Sequence, residues 1–223
     1  MITSHHNPLL KDIRRLATRR DGRFVAEGED LLAAADEAGW TPLHRLVAGV
    51  DVEAEALAKV STLGSGTRAL AVYEERWAPA PAGPVCVCLW GVKDPGNVGT
   101  VLRAALAFGA SSVALGPDTA DPYSPKAVRA SMGAIFAVPV ARVTGVAQLP
   151  GETVALAARR GEVLRGPAAG EASLVVGAER DGLPPDVLAA CDRAAHIPIA
   201  SESLNAAMAA TVALYELTSR VHA

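Results

Sequence analysis

Apolar positions along the chain switch between helical spacing and short unbroken runs, the pattern of a protein that alternates helices with strands. Leu9, Leu10, Ile13, Leu16 and Ala17 fall close to helical spacing and predict a helix over Pro8 to Arg19. Arg23 to Glu27 reads as a short strand, Asp30 to Ala38 as a helix stopped by Gly39, and Leu43 to Val47 as another strand. A helix over Glu53 to Val60 and a strand over Arg68 to Tyr73 complete a small α/β module. It ends at Ala78-Pro79-Ala80-Pro81-Ala82-Gly83-Pro84, where three prolines and a glycine forbid a helix or a central strand. The chain therefore reads as a module of residues 1–77, a Pro/Ala linker of residues 78–84 and a larger domain of residues 85–223.

Beyond the linker, Val85 to Trp90, Ser112 to Leu115, Phe136 to Val140, Val154 to Ala157, Leu174 to Gly177 and His196 to Ile199 are strand candidates. Their continuous apolar character suits strands buried on both faces of a parallel sheet. Val98, Val101, Leu102, Ala105 and Leu106 form a helical stripe closed by Gly109. Ser124-Pro125 opens a further helix through Ser131 as an N-cap and first-turn pair. A last helix runs from about Leu204 to Thr218, with Leu204, Met208, Thr211, Val212 and Tyr215 on one face. The fold class is α/β throughout.

Composition narrows the picture. Half of the 223 residues are hydrophobic and a fifth are charged, which excludes global disorder. No run of about 18 uncharged apolar residues offers a membrane span. The first residues lack the apolar core of a secretion signal, so a cytoplasmic protein is expected. Three cysteines build no disulfide framework, and none has zinc-finger spacing, so neither a structural nor a catalytic metal is expected. Cys86 and Cys88 read as small core residues, one on each face of their strand. Net charge is −3, yet residues 1–25 hold six basic residues (Lys11, Arg14, Arg15, Arg19, Arg20 and Arg23) against Asp12 and Asp21. That patch can attract phosphate.

Polar residues and glycines cluster in three segments at the ends of strand candidates, where open parallel sheets place their ligands. They are Lys93 to Arg103, Val176 to Pro184 and Ile197 to Asn205. None carries a dinucleotide-binding glycine pattern, a P-loop or a serine elbow. Residue by residue they read as turn and cap chemistry: Asn97 as a helix cap, Arg103 one to two turns inside that helix, and Gly177 permitting close approach to a strand end.

Taken in order, the three segments resemble the motifs of the SpoU (TrmH) family of RNA ribose 2′-O-methyltransferases, within the SPOUT superfamily. Asn97-Val98-Gly99 followed by Arg103 and Phe108-Gly109 is similar to the first motif. Val175-Val176-Gly177-Ala178-Glu179-Arg180-Asp181-Gly182-Leu183 is similar to the second, and Ile197-Pro198 with Ser203-Leu204-Asn205 to the third. Ser131-Met132-Gly133-Ala134-Ile135-Phe136 resembles a further family feature. The likeness spans about residues 85–220. More weakly, Asn7-Pro8 through Lys11 and Arg23 to Gly28 resemble the ribosomal-protein-like substrate-binding extension of the family.

The resemblance implies a SPOUT domain with a deep trefoil knot, S-adenosylmethionine held by the loops of the second and third motifs, and an obligate homodimer whose sites draw on both subunits. It implies cofactor contacts from Gly177, Gly182, Ile197, Ile199 and Leu204. Arg103 matches the catalytic arginine of the family. A guanidinium stays protonated at working pH, so a fixed cation that stabilises a developing alkoxide suits it better than a base. Asn97, Glu179, Ser203 and Asn205 match the other polar positions and are assigned to orienting Arg103 and the ribose. Arg14, Arg15, Arg19, Arg20 and Arg23 become candidate RNA contacts. One departure stands out: where many relatives carry a glycine after Ile-Pro-hydrophobic, this loop is Ala200-Ser201-Glu202. The expected activity is ribose methylation of RNA, ribosomal RNA ahead of transfer RNA. The rivals are a non-catalytic RNA-binding protein that keeps the scaffold and a knotted enzyme that methylates a base.

Overall fold

Asn7 starts the first helix by accepting the Leu9 N–H at 2.9 Å, with Pro8 in the first turn (α1, Pro8–Leu16). The computed structural model describes residues 1–19, 21–63, 66–201 and 204–219. After α1 come β1 (Arg23–Glu27), α2 (Glu29–Glu37), β2 (His44–Val47), α3 (Ala54–Ala58) and β3 (Ala69–Glu74), the strands pairing antiparallel in the order β1-β3-β2. The middle strand β3 is buried on both faces. Leu70 and Val72 pack with Leu10, Ile13 and Leu16 of α1 and Leu57 of α3, while Ala71 and Tyr73 turn to the other side.

That other side meets the rest of the chain. Phe24, Trp40 and Tyr73 share one aromatic cluster with Tyr123 and Phe136, with centroids 4.8 Å apart for Phe24–Tyr123 and 5.2 Å for the edge-on Trp40–Phe136 pair. Two hydrogen bonds pin the cluster: Trp40 Nε1 donates to the Phe136 carbonyl at 2.8 Å, and the Tyr123 hydroxyl to that of Arg76. Burial pushes the Tyr123 phenol up to about 12. The proline-rich segment is tied down as well. Ala78 N–H donates to the Val140 carbonyl at 2.8 Å, and the buried Ser112 hydroxyl bonds both the N–H and the carbonyl of Ala82.

Beyond it lie β4 (Val85–Leu89), α4 (Pro95–Ala107), β5 (Ser112–Leu115), α5 (Pro125–Ala130), α6 (Ala134–Ala137) and β6 (Val140–Arg142). Then follow β7 (Glu152–Leu156), β8 (Glu162–Val163), β9 (Ala172–Val176), α7 (Pro185–Ala190), β10 (Arg193–His196) and α8 (Ala206–Thr218). The seven strands are all parallel, in the order β6-β5-β4-β9-β7-β10-β8. β4 and β9, at the centre, are fully buried. Val85, Val87 and Leu89 share a core with α4 and α8, whereas Cys86 and Cys88 face the layer of Val146 and Val187. Helices therefore cover both faces.

Four expectations change. Phe136 lies in a helical turn entered through left-handed Gly133, and extended backbone begins only at Val138, beside Pro139. The strand placed at His196–Ile199 sits three residues earlier, because Pro198 has no N–H for a ladder, and Arg193 secures it by bridging Glu152 and Glu162. Cys86 and Cys88 occupy one face of β4, as the two-residue period of a strand requires. The last helix starts only at Ala206, which leaves Leu204 outside it; Met208, Val212 and Tyr215 share an exposed face, and the small face of Ala206, Ala207, Ala210 and Ala213 is buried together with Leu214 and Leu217.

Trp40→Phe removes the indole donor and orphans a buried carbonyl, so it is expected to cost about 1–3 kcal/mol in urea unfolding. Arg76→Ala, which loses only a guanidinium 4.1 Å above the same ring, should cost less than about 1 kcal/mol.

Candidate active site

The carboxyl ends of β4, β9 and β10 bring the three polar segments together. After β4, Asp94 caps α4 by accepting the N–H groups of Gly96 (2.6 Å) and Asn97 (3.3 Å). Its carboxylate also takes a 2.8 Å bond from Lys126, which with these N–H donors holds its pKa below the usual carboxylate range. Asn97 is therefore not the cap. It lies within the first turn with its side chain free for other work. Gly99, two residues on, is fixed by packing: a Cβ there would collide with the Ala127 carbonyl, so it sets α4 against α5.

Asn205 supplies the cap of α8, its Oδ1 accepting from Ala207 N–H at 2.9 Å and Met208 N–H at 3.3 Å. That bond leaves its Nδ2 to donate to Asn97 Oδ1 at 3.1 Å, and Asn97 in turn must present its own Nδ2 to the Glu179 carboxylate. Residues 82 and 108 positions apart are thereby joined in one directed chain. Of the residues expected to orient Arg103 and the ribose, Asn97, Glu179 and Asn205 are brought together in this chain, which does not include Arg103.

Glu179 sits on a loop closed by its own backbone. Ala178 and Gly182 exchange N–H···O bonds of 3.2 and 2.9 Å. A Cβ on Gly177 would strike the Gly182 backbone, and Gly182 itself has φ +66°. The close approach that Gly177 permits is thus made by this chain to itself.

Two cavities flank the loop. One, of about 630 Å³, is lined by Leu156, Gly177, Gly182, Ile197, Ile199 and Leu204 among others. It gathers every residue expected to hold a cofactor. The second, of about 600 Å³, is lined in part by Trp90, Lys93, Asn97, Asp118, Glu179 and Asn205. Glu179 belongs to both walls. Lys93 opens the first polar segment, but nothing in motif spacing points to Trp90 or Asp118; Asp118 announces itself only through its backbone, with φ +59°.

Other expected residues lie elsewhere. Arg103 is on the exposed face of α4 and lines neither cavity. It shares that face with Leu106, and across the packed pair α4–α8 the exposed Met208, Val212 and Tyr215 continue an apolar surface, with Tyr215 edge-on to Phe108 at 5.8 Å. Arg14, Arg15 and Arg19 are exposed at the end of α1. Arg23 gives its guanidinium to Asp12 (2.9 Å) and Asp21 (2.6 Å), which raise its pKa further. Ser203 and Arg20 lie outside the described residues. Among those described, no helix is long and apolar enough to cross a membrane.

Comparison with known proteins now has a site to refer to. The SpoU rRNA Methylase family model matches residues 84–215. The chain is similar to the 23S rRNA (guanosine(2553)-2′-O)-methyltransferase RlmP of Bacillus subtilis, with 29% identity covering 97% of this chain and 98% of that protein. It is similar to a structure of AdoMet-bound rRNA methyltransferase from Sinorhizobium meliloti, with TM-score 0.87 and 31% identity over 99% of this chain and 97% of that one. A structure bearing on the 2-OH methylation of C/U34 on tRNA matches 63% of this chain and 99% of its own, with TM-score 0.56 and 30% identity.

Asn205→Ala removes the α8 cap and is expected to cost about 1 kcal/mol of unfolding free energy. Asn205→Asp keeps an acceptor for the cap but no donor for Asn97, so denaturation should show it within about 0.5 kcal/mol of the parent.

Proposed function

As the chain belongs to the SpoU rRNA Methylase family, we propose that it transfers the methyl group of S-adenosylmethionine to a ribose 2′-hydroxyl of RNA. Ribosomal RNA is the preferred substrate. Two rRNA-directed proteins, the Bacillus subtilis and Sinorhizobium meliloti ones, match nearly the whole chain, N-terminal module included, whereas the tRNA-related structure matches under two thirds of it.

The observation that carries this reading is Glu179, tethered by Asn97 in the wall between two cavities. The first fits the cofactor. Its size lies within the range for small-molecule sites, its apolar walls of Leu156, Ile197, Ile199 and Leu204 suit an adenine ring, and the 177–182 loop offers backbone polar groups to the edge of that ring. S-Adenosylmethionine, when bound, supplies an electrophilic methyl on a sulfonium. Everything else is positioning. Glu179 accepts a hydrogen bond from the ribose hydroxyl and aims its oxygen toward the first cavity, and the Asn97–Asn205 chain keeps the carboxylate from swinging. Ser203, beside Asn205 in sequence, is assigned to the same ribose.

Arg103 is the fixed cation for the developing alkoxide, yet within one chain it points away from the pocket. We therefore assign it to the site of a partner. A second copy covering Leu106, Met208, Val212 and Tyr215 would carry Arg103 with it, since Arg103 and Leu106 lie one turn apart on α4. The homodimer accounts for both the apolar surface and the displaced arginine. The trefoil knot fits the close passage of residues 164–168 past α8, where Gly166 N–H donates to Glu216 Oε1 at 2.9 Å and Ala168 N–H to the Leu217 carbonyl at 3.0 Å. We assign residues 1–77 to RNA recognition through Arg14, Arg15, Arg19 and Arg20, with residues 78–84 as the connector and the cytoplasm as the place of action. Arg23 is given to its two carboxylates instead.

Calorimetric titration with S-adenosylmethionine, followed by methyl transfer to rRNA transcripts, tests the assignment. Wild type and Arg103→Ala should bind the cofactor with dissociation constants within about threefold, because Arg103 lines no cofactor wall in its own chain and is assigned to the ribose in the site of the partner. Transfer by Arg103→Ala should fall by about 10²–10³. The wild-type product should resist alkaline cleavage at the modified position. Absence of binding by the wild type at millimolar cofactor leaves the non-catalytic scaffold as the account, and a base-methylated product leaves the other rival.

A further inference from the structure

Resting on the reading that Glu179 sets the ribose between the two cavities, we propose that the second cavity holds the target base and selects guanine, with Asp118 as the residue that reads it. The similar proteins leave this open, because one is directed to guanosine and another to C/U.

A ribose bonded to Glu179 has two directions in which to project its base, and the first cavity is the one the cofactor fills. The second has about the same volume and begins at the same carboxylate. Its far wall is Pro117 and Asp118, in the loop that follows β5. That loop is not loose. Gly91 N–H is shared by the Pro117 carbonyl at 3.2 Å and the Thr119 hydroxyl at 3.0 Å; Thr119 donates to the Leu89 carbonyl at 2.9 Å; Ala120 N–H donates to the Val92 carbonyl at 2.8 Å. The loop is therefore stitched to the end of β4 on both sides of Asp118. Asp118 itself is held in left-handed backbone at φ +59°, a conformation that aspartate and asparagine tolerate better than other side chains.

The carboxylates around this cavity are not equivalent. Asp94 is spent on its helix cap and on Lys126. Asp181 rides the shared loop and faces both cavities. Asp118 lines the second cavity alone and, among the described residues, its carboxylate has no hydrogen-bond or ion-pair partner. Lys93 lines the same space, and Trp90, seated flat against Gly116, gives it an apolar wall.

A carboxylate carried on a held backbone suits a base edge with two adjacent donors. Guanine presents N1–H and the N2 amino group side by side, with the O6 acceptor next to them for an ammonium such as that of Lys93. Uracil offers a single N–H between two carbonyls, and adenine and cytosine each offer one amino group beside an unprotonated ring nitrogen that a carboxylate repels. Of the four bases, guanine alone offers two adjacent donors to the Asp118 carboxylate with an acceptor beside them for the Lys93 ammonium.

The test is transfer of labelled methyl from S-adenosylmethionine to transcripts of 16S and 23S rRNA and a tRNA pool, followed by nucleoside analysis. Label in 2′-O-methylguanosine is expected. Label in the 2′-O-methyl form of another nucleoside overturns the guanine subsite and leaves ribose methylation standing. Label on a base, or none in any of these RNAs, overturns both. Asp118→Asn then isolates the residue, since asparagine keeps the shape and the left-handed backbone but turns an amino donor toward the guanine donors. Its cofactor affinity and melting temperature should match wild type while kcat/KM on the guanosine substrate drops by about 100-fold or more. Loss of less than about threefold, with cofactor binding intact, overturns the assignment of Asp118.

Discussion

An asparagine side chain has a donor end and an acceptor end, and the site depends on that polarity. The N-terminus of α8 exposes N–H groups that need an acceptor. Once Asn205 turns its oxygen to them, the orientation of every following group is decided: nitrogen toward Asn97, the Asn97 oxygen toward Asn205, and the Asn97 nitrogen toward Glu179. A backbone requirement at a helix end thus sets the position of a carboxylate on another strand's loop. Two neutral amides suffice, with no charge buried on the way.

Such a chain works only if the helix ends it joins are fixed to within a fraction of an ångström, and small residues do the fixing. Gly99 lets α4 lie against α5, and the alanine face of α8 lets that helix press onto the sheet. The N-terminal module adds a second brace, because Trp40 anchors on the Phe136 carbonyl at the end of α6 and the Tyr123 hydroxyl reaches back to Arg76. Both modules contribute to one aromatic cluster, so a change in the basic module is felt at the foot of α5.

Much of this was legible in the chain. Strands with unbroken apolar runs, such as β4, β5 and β9, read correctly because burial on both faces removes any need for polar alternation. Ser124-Pro125 located a helix start because cap and first-turn chemistry is local. What failed depended on partners far away in sequence. The large residues of α8 share a face in the sequence, but that this face is exposed is not visible there, since periodicity reports that a side is apolar and not what covers it. Asn97 looked like a cap because capping by Asp94 and the pull from Asn205, 108 residues on, cannot be weighed from spacing. The ion pair of Arg23 with Asp12, eleven residues earlier, is equally invisible in the spacing. Asp118 carried no motif at all; its signal is a backbone angle.

The two cavities also differ in what they can know about a substrate. The first is walled by Leu156, Ile197, Ile199 and Leu204 and by the closed backbone of the 177–182 loop, in which glycines hold the only shape that lets the loop close on itself. Apolar contact and main-chain groups fit a small molecule of fixed structure, and they carry no information about RNA sequence. Arg160, Arg180 and Asp181 also line the first cavity, so the groups that the cofactor does not meet are those facing the second cavity alone. Exposed arginines on α1 attract any phosphate backbone alike. The remaining groups with direction and charge are those of the second cavity, and of these Asp118 has a rigid mount and no internal partner. On the proposed reading, chemistry and recognition lie on opposite sides of one loop, whose Glu179, Arg180 and Asp181 side chains line both cavities.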